Sequence, residues 1–404
     1  MKKICLTALL LCVCTVLSSC AKNEPFVPQP FTPPAATEEP SSPVPDSPFP
    51  EQEPLSPPEA QTPEPESQIP EKPDYASEIL SGMTLEEKVG QMFFVRCPET
   101  GAEGLVEKYH LGGYILFGRD FDNQSIESVR SAIGAYQERA DIPMLIGVDE
   151  EGGSVVRLSR YKAFRSAAFL SPQQLYNKGG FELIVSDTVE KFELLKSLGI
   201  NFNLAPVCDV STDPDDYIYQ RSFGKPAAST AVYVKCVVEA MATEGIGCAL
   251  KHFPGYGNNT DTHEGIAYDR REYAVFETSD FLPFKTGIEA GANIVLVSHN
   301  IVYCMDDKPA SLSKPVHDLL RNELGFDGVI MTDDLYMDAI RDFTGASEAA
   351  VAAVEAGNDL LCCTDYEQQI TAVITAVKEG RITVERLDES VLRILRMKIK
   401  LDII

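Results

Sequence analysis

From about residue 74 onwards, short apolar runs alternate with longer stretches in which apolar residues recur every three or four positions. The short runs have the length and composition of buried strands, and the longer stretches have the period of amphipathic helices. Such alternation indicates a parallel sheet, because parallel strands need a crossover, usually a helix, to connect them. The pattern predicts eight strands, at residues 92–95, 113–117, 144–148, 201–204, 248–250, 293–297, 328–331 and 359–362.

The amphipathic stretches predict the helices that connect these strands. Most of them end at or just before a glycine, which is a common helix terminator. Thr383 precedes the last stretch and has a side chain suited to an N-cap. The predicted helices cover residues 125–140, 182–198, 230–244, 280–290, 314–323, 345–356 and 383–401.

Polar residues follow at least five of the predicted strands directly, as in Val148-Asp149-Glu150, Lys251-His252 and Thr332-Asp333-Asp334. A doubly wound open sheet would share most of the apolar pattern. Only a closed barrel brings the carboxyl ends of all its strands to one mouth, where these polar residues could meet. We therefore predict an α/β fold with a single TIM-type (β/α)8 barrel over residues 74–404.

The chain before this region has a different pattern. Lys2 and Lys3 precede an apolar run at residues 4–17, and the sequence Leu-Ser-Ser leads to Cys20. Residues 1–19 are predicted to be an export signal, which is too short to span a bilayer stably. Cys20 resembles the lipid-carrying cysteine of bacterial lipoproteins, which would anchor the protein outside the cytoplasm on the cell membrane. An ordinary cleaved signal is the alternative.

Residues 20–73 hold the anchor site and a predicted disordered tether. Of the 27 prolines in the chain, 17 lie between residues 21 and 73, among Glu, Ser, Thr and Gln. With almost no aliphatic residues, this segment cannot form an apolar face, so we predict an extended, acidic linker.

Charge and cysteine content exclude several classes of function. The formal charge of -26 argues against nucleic acid as a partner. Seven cysteines remain after residue 73, an odd number without a Cys-x-x-Cys pair, so we predict neither a disulfide framework nor a zinc site. We expect no metal and no cofactor, and a monomeric protein whose partners are a carbohydrate and, through its lipid, a membrane.

The loop after the fifth strand carries candidate acid/base chemistry. Pro254 and two glycines follow Lys251-His252, and Asp261 and His263 lie two residues apart further along the loop. The carboxylate can accept a hydrogen bond from the imidazole, which fixes the tautomer and raises the basicity of the ring. Such a pair is suited to moving a proton near neutral pH, although the spacing is also typical of a surface turn.

Two adjacent carboxylates, Asp333 and Asp334, follow the seventh strand. A carboxylate at this position could attack an anomeric carbon, bind a metal or cap the next helix. The residue pattern alone leaves these three roles open.

Several ordered motifs together resemble glycoside hydrolase family 3, particularly its β-N-acetylglucosaminidase branch in the bacterial lipoprotein form. They are VDEEGGSVVRL, NLAPVCDV, RSFG at Arg221, KHFPGYG with DTHEG, and MTDDLYM. Tyr256 stands where the family motif often has histidine, and the loop that follows is about one residue shorter than usual. These departures bear on the aglycone that the loop would accept.

The resemblance implies a retaining exo-β-N-acetylglucosaminidase that removes terminal β-linked N-acetylhexosamine from cell-wall glycans or muropeptides. Asp333 would be the nucleophile, and His263, oriented by Asp261, the acid/base. The residues implied to hold sugar hydroxyl groups are Asp149, Arg221, Lys251 and His252. The residues expected to support them are Glu150, Asp209, His299 and Asp334.

Three alternatives remain open at this stage. The same barrel could be a β-glucosidase, a β-xylosidase or a glycoside phosphorylase. It could also be a sugar-binding lipoprotein without catalysis, although such a protein need not keep a nucleophile and a proton shuttle together. The third alternative is a metal hydrolase that uses Asp333 with the three histidines His252, His263 and His299.

Overall fold

The computed structural model describes residues 75–262 and 265–404. The predicted export signal, Cys20, the tether and His263 lie outside these described residues. The strands are β1 (Phe93–Arg96), β2 (Gly113–Leu116), β3 (Leu145–Val148), β4 (Phe202–Asn203), β5 (Gly247–Phe253), β6 (Tyr268–Asp269), β7 (Ile294–Val297), β8 (Ile301–Val302), β9 (Val329–Thr332) and β10 (Leu361–Cys363).

Eight of these strands form one parallel sheet in the order β10-β1-β2-β3-β4-β5-β7-β9. A parallel bridge between Met331 and Leu360 connects the two ends of this order, so the sheet is a nearly closed barrel. Each of the eight predicted strands corresponds to one barrel strand, and the prediction of a single (β/α)8 barrel is confirmed. The remaining strands, β6 and β8, pair outside the barrel sheet.

The barrel interior is filled by large side chains packed against a glycine. The rings of Phe94 and Phe202 lie edge to face with their centroids 5.9 Å apart. A Cβ atom on Gly147 would approach ring atoms of these two residues to 2.6 and 2.8 Å, which is closer than packed atoms tolerate. The absence of a side chain on β3 therefore lets the two aromatic rings share the interior.

Helices surround the barrel, and the seven predicted ones are present. Thr383 caps the last helix, as predicted, because its side chain accepts a hydrogen bond from the backbone N–H of Arg386. The helices are α1 (Tyr75–Gly82), α2 (Leu85–Gln91), α3 (Ala102–Tyr109), α4 (Ile126–Arg139), α5 (Pro172–Ser197), α6 (Ala227–Glu244), α7 (Tyr273–Val275), α8 (Phe281–Glu289), α9 (Lys314–Asn322), α10 (Asp338–Arg341), α11 (Ala346–Ala356), α12 (Tyr366–Lys378) and α13 (Val384–Lys400).

Several helices differ from the prediction. The prediction omitted α3 and α12 as well as the short helices α1, α2, α7 and α10. Helix α5 begins ten residues earlier than expected, but Gly179 and Gly180 have non-helical backbone angles, and the predicted segment corresponds to the part after this interruption. No helix within the described residues is both long and apolar enough to cross a bilayer.

All seven cysteines after residue 73 are free thiols. Five of them are buried, so that they serve as small apolar residues of the barrel and its surroundings. Burial raises the pKa of the Cys97 thiol to about 12, with a further contribution from the negative charge of Asp120. The protonated thiol is therefore the stable form at that site.

Candidate active site

A cavity of about 560 Å³ opens at the carboxyl ends of the barrel strands. Its wall includes residues on or directly after β1, β3, β5, β9 and β10. Six predicted site residues line it together, namely Asp149, Arg221, Lys251, His252, Asp261 and Asp333. The barrel thus brings together residues that are up to 184 positions apart in sequence (333 − 149).

One wall of the cavity is a network of ion pairs centred on Lys251. Its Nζ atom lies 2.8 Å from Oδ1 of Asp149 and 2.5 Å from Oε1 of Glu151. Glu151 also accepts two hydrogen bonds from Arg221, of 2.8 and 3.1 Å. The guanidinium of Arg157 donates to Asp149 over 3.2 Å. The side chains of this network are therefore held in fixed positions before a substrate binds.

The charges in this network stabilise one another. Burial disfavours ionisation of Asp149, but the positive charges of Lys251 and Arg157 outweigh it and lower the pKa of the carboxyl group. Burial also opposes the charge of Glu151, and Arg221 with Lys251 holds the pKa of Glu151 far below its usual range. Burial likewise lowers the pKa of Lys251, yet the two carboxylates raise it overall. All of these groups are consequently ionised at neutral pH.

His252 is oriented by two charged neighbours. Its Nδ1 lies 2.7 Å from Oδ2 of Asp209, and its Nε2 lies 3.1 Å from a guanidinium nitrogen of Arg221. Because the guanidinium can only donate, Nε2 accepts and the ring proton is on Nδ1, where it is donated to Asp209. This arrangement is satisfied by the neutral ring. Asp209 thus orients the ring of His252.

Tyr256 lies near the start of the loop that follows β5 and contacts the residue after Asp261. It is buried, its backbone N–H donates to Oδ1 of Asp209 over 2.8 Å, and its hydroxyl is hydrogen-bonded to that of Thr262. Its ring also packs edge to face against the ring of His252. Tyr256 therefore fixes Thr262, the residue next to Asp261. In the family motif that this segment resembles, histidine is common at the position of Tyr256.

Asp261 lies in the cavity wall next to Tyr217. Burial raises the pKa of the Tyr217 hydroxyl to about 12, and the carboxylate of Asp261 contributes to this increase. Tyr217 is exposed at the cavity and packs against the ring of Tyr256. The position of the predicted imidazole partner, His263, falls outside the described residues.

Asp333 follows β9 directly, at the carboxyl end of the strand. Its backbone N–H donates to the carbonyl of Val297 on β7, and its Oδ1 accepts the N–H of Asp334 over 2.8 Å. Both oxygens of Asp334 accept hydrogen bonds, from the N–H of Tyr336 at 2.9 Å and from the hydroxyl of Thr364 at 2.8 Å. Burial, together with the neighbouring Asp333, raises the pKa of Asp334.

Glu150 and His299 have structural contacts. Glu150 is fully buried and accepts backbone hydrogen bonds from Arg157 at 2.7 Å and Leu158 at 3.0 Å, so it holds the loop after β3. His299 pairs through Nδ1 with the hydroxyl of Ser311 and through Nε2 with the carbonyl of Asp334. Because a carbonyl only accepts, the proton is on Nε2.

These contacts bear on the metal-hydrolase alternative. His252 and His299 both have hydrogen-bonding partners at their two ring nitrogens, so neither offers a free lone pair to a metal in this arrangement. No group of three metal-ligating side chains occurs at the catalytic cavity among residues 75–262 and 265–404.

Sequence reasoning did not single out three residues of the cavity or its supporting network, Glu151, Arg157 and Tyr217. Glu151 is the third residue of the acidic run Asp149-Glu150-Glu151 after β3. This run was the only feature of the sequence that pointed to Glu151. Its partners Arg221 and Lys251 are 70 and 100 positions away (221 − 151 and 251 − 151). Only the closed barrel shows that Glu151, of the three acidic residues, forms ion pairs with both Arg221 and Lys251.

Comparisons with known proteins identify the family of this chain. Residues 84–397 match the model of the glycosyl hydrolase family 3 N terminal domain. A β-hexosaminidase A of Pseudoalteromonas piscicida is 30% identical over 328 residues, covering 74% of this chain but 54% of that enzyme. The β-hexosaminidase LpqI of Mycobacterium tuberculosis is 31% identical over 327 residues, which are 77% of this chain and 82% of LpqI.

A solved structure of a family 3 enzyme is also similar to this chain. The family 3 β-N-acetylglucosaminidase of Paenibacillus sp. FPU-7 superposes with a TM-score of 0.74 at 33% identity, over 80% of this chain and 63% of that one. The chain thus spans about half to two thirds of the length of some relatives and most of the length of others. With a family model that matches most of the chain and a barrel of the same form, this protein belongs to glycoside hydrolase family 3.

Proposed function

We propose that this protein is a retaining exo-β-N-acetylglucosaminidase. The observation that carries the proposal is the shared cavity: Asp333 and Asp261 line the same space as the ion-pair network of Asp149, Lys251 and Arg221. A fixed wall of charged donors and acceptors suits the hydroxyl groups of a sugar, because each group can be positioned by a charge-assisted hydrogen bond. Asp333 is then the nucleophile for the sugar held there.

In the first step, the carboxylate of Asp333 attacks the anomeric carbon while His263 donates a proton to the glycosidic oxygen. The bond from this carbon to the glycosidic oxygen breaks as the bond to Asp333 forms, and the leaving sugar departs as an alcohol. Asp334 is less suited to this attack, because both of its oxygens accept hydrogen bonds and its pKa is raised.

In the second step, His263 removes a proton from a water molecule as the water oxygen attacks the anomeric carbon. The bond to Asp333 breaks, the free sugar is released with its original stereochemistry, and both residues return to their starting states. Asp261 orients the imidazole in this scheme. The hydrogen bond between Tyr256 and Thr262 supports it, because this bond fixes the chain beside Asp261.

The names of the relatives support the choice of sugar. Two relatives at 30–31% identity are called β-hexosaminidases, and the Paenibacillus protein is called a β-N-acetylglucosaminidase. We therefore propose terminal β-linked N-acetylhexosamine as the substrate. Hydrolysis of cell-wall glycans or muropeptides rests on the sequence of residues 1–73, which predicts export, a lipid at Cys20 and a long tether.

A slow 2-fluoro glycosyl substrate tests the mechanism directly. With a 2-deoxy-2-fluoro glycoside that has an activated leaving group, we expect mass spectrometry of the intact protein to detect one added sugar, and peptide mapping to assign it to Asp333. A label on Asp334 or Glu150 would contradict the assignment. A panel of nitrophenyl glycosides, assayed with and without phosphate, separates N-acetylglucosaminidase from glucosidase, xylosidase and phosphorylase activities.

A further inference from the structure

Three metal-ligating side chains converge at the end of the barrel opposite the catalytic cavity. Glu87, His110 and Asp141 each offer one ligand atom, and these atoms lie within 4.8 Å of one another. Glu87 belongs to α2 before β1, His110 lies between α3 and β2, and Asp141 lies between α4 and β3. Connections that lead into strands are at the amino-terminal end of a barrel, where conserved features serve stability rather than catalysis.

The charge of this cluster is not balanced by a basic side chain. His110 and Asp141 form a contact of 3.2 Å between Nδ1 and Oδ2. No lysine or arginine among the described residues pairs with Glu87 or Asp141, although α2 itself places Lys88 in an ion pair with Asp388. Two carboxylates therefore approach one imidazole without a fixed positive charge, an arrangement that a bound cation would stabilise.

Local contacts position Glu87 and the backbone of His110. Both hydrogen bonds from Thr84, donated by its N–H and its hydroxyl, go to Oε2 of Glu87 at 2.6 and 2.7 Å. They leave Oε1 of Glu87 unused by Thr84. The carbonyl of His110 accepts a 2.9 Å hydrogen bond from the buried amide of Gln91, whose oxygen accepts a hydrogen bond from the buried amine of Lys398.

The same three residues line a cavity of about 320 Å³. Its other walls include the aliphatic side chains of Ile79, Met83 and Ile142. This cavity gives room for an ion and for a water molecule in a fourth coordination position. It is separate from the catalytic cavity, since the two have no lining residue in common.

We propose that Glu87, His110 and Asp141 form a binding site for a divalent transition-metal cation, with zinc as the best match. Imidazole with carboxylates favours zinc over calcium or magnesium, which prefer oxygen ligands alone. Zinc bonds of about 2.0–2.2 Å at tetrahedral angles place ligand atoms roughly 3.3–3.6 Å apart. The contact between His110 and Asp141 already has about this length. The remaining pairs lie within 4.8 Å, so they need to close by roughly 1.5 Å at most.

A bound ion would clamp α2 to the connections before β2 and β3. The sequence analysis expected no metal and did not single out these three residues. They lie 23 and 31 positions apart (110 − 87 and 141 − 110), so no short ligand spacing marks them in the sequence. They meet only when three successive strand-helix units assemble.

Zinc binding to the full-length chain, after treatment with a chelator, tests the proposal. Calorimetry should detect one zinc ion per chain at this site, and zinc at 100 times Kd should raise Tm by about 5 °C. Glu87→Gln, His110→Asn and Asp141→Asn should each weaken binding by at least about 10-fold. In Glu87→Gln, the amide oxygen can still accept the two hydrogen bonds from Thr84. In His110→Asn, the new residue tolerates the positive φ of 51° at this position.

Glu86→Gln is the matched control, because it removes the same charge from the adjacent position of α2, where Glu86 pairs with Lys378. This variant should bind zinc within about twofold of the parent. Cobalt in place of zinc should give no thiolate charge-transfer band, since no cysteine belongs to the site. Absence of zinc binding, binding unchanged in all three ligand variants, or a thiolate band would each overturn the proposal.

Discussion

The ammonium nitrogen of Lys251 lies 2.5 Å from Oε1 of Glu151, and both side chains are almost completely buried. Glu151 also holds Arg221, so a single carboxylate fixes two of the cations that we assign to the sugar. The network therefore depends on a residue that does not itself line the cavity. Its removal should affect stability as well as substrate binding.

We expect Glu151→Gln to lower the free energy of unfolding by about 3 kcal/mol, because it leaves a buried lysine and arginine with one carboxylate fewer. Denaturant titration of both proteins measures this difference. Glu190→Gln is a suitable control, since Glu190 pairs with Arg165 at the surface and its loss should cost about 1 kcal/mol or less. An equal loss of unfolding free energy in the two variants would contradict the stabilising role of the buried ion-pair network.

The stability of Glu151→Gln should also depend on pH differently from that of the parent protein. The folded-state pKa of Glu151 is lowered, so its contribution to stability is present above the unfolded-state pKa of about 4.3 and is lost as pH falls towards the folded value. Stability of the parent should therefore decrease below about pH 5 more steeply than that of Glu151→Gln. Parallel acid-unfolding curves for the two proteins would exclude this contribution.

Much of the barrel could be predicted from the sequence, because strands buried on both faces are continuous apolar runs. Asp149, Lys251 and Asp333 could be located for the same reason, since each follows such a run directly. Pairings across the barrel could not be predicted. The partners of Glu151 lie on other units, and the choice between three consecutive acids depends on the direction of each side chain after β3.

The helices that escaped prediction have physical explanations as well. Helix α3 has eight residues and ends at His110 in the left-handed conformation, where a glycine would have been the usual signal. Helix α12 follows Asp365, a residue type that often precedes a helix, but the Asp365 side chain makes no capping hydrogen bond and the sequence analysis did not identify this start. Both are positioned by contacts with neighbouring helices rather than by their own termini.

Asp209→Asn should reduce kcat/KM by about 10- to 100-fold, which corresponds to the loss of one charge-assisted hydrogen bond to His252. The ring would lose the carboxylate that keeps its proton on Nδ1, and Nε2 could no longer be held as an acceptor for Arg221. Steady-state kinetics on a nitrophenyl N-acetylglucosaminide measures the effect, with circular dichroism as a control for folding. An unchanged kcat/KM would remove His252 from the binding wall.

Asp333→Asn should leave a folded protein whose turnover is lower by several orders of magnitude, since the amide cannot form the covalent intermediate. The change keeps the side-chain oxygen that accepts the N–H of Asp334, so the loop after β9 should keep its conformation. Activity with azide as an external nucleophile, together with inversion of product stereochemistry, would support the assignment. Turnover within tenfold of the parent would refute it.

Cys20→Ala should abolish lipidation, because the thiol is the only atom of the predicted motif that could carry the lipid. The variant should leave the membrane fraction or accumulate as an unprocessed precursor. Fractionation of expressing cells and the mass of the mature protein measure this. Unchanged fractionation and mass would contradict the prediction of a lipoprotein and, with it, the proposed place of action at the cell wall.

His263→Ala should affect substrates according to their leaving groups. A nitrophenolate departs with little protonation, so formation of the intermediate should slow far less than with a sugar as the leaving group. Hydrolysis of the intermediate still needs a base, and glycosyl-enzyme should therefore accumulate on Asp333. Burst kinetics and intact-protein mass spectrometry on the two substrate types measure these effects.

Asp261→Asn should give a milder form of the same pattern, because it misorients the imidazole without removing it. The hydrogen bond between Tyr256 and Thr262 should keep the adjacent chain in place, so the comparison isolates the carboxylate. If His263→Ala instead slows activated and natural substrates equally and no intermediate accumulates, His263 is not the acid/base. Glu264 would then be the first carboxylate to test for that role, since Glu150 is committed to buried backbone contacts.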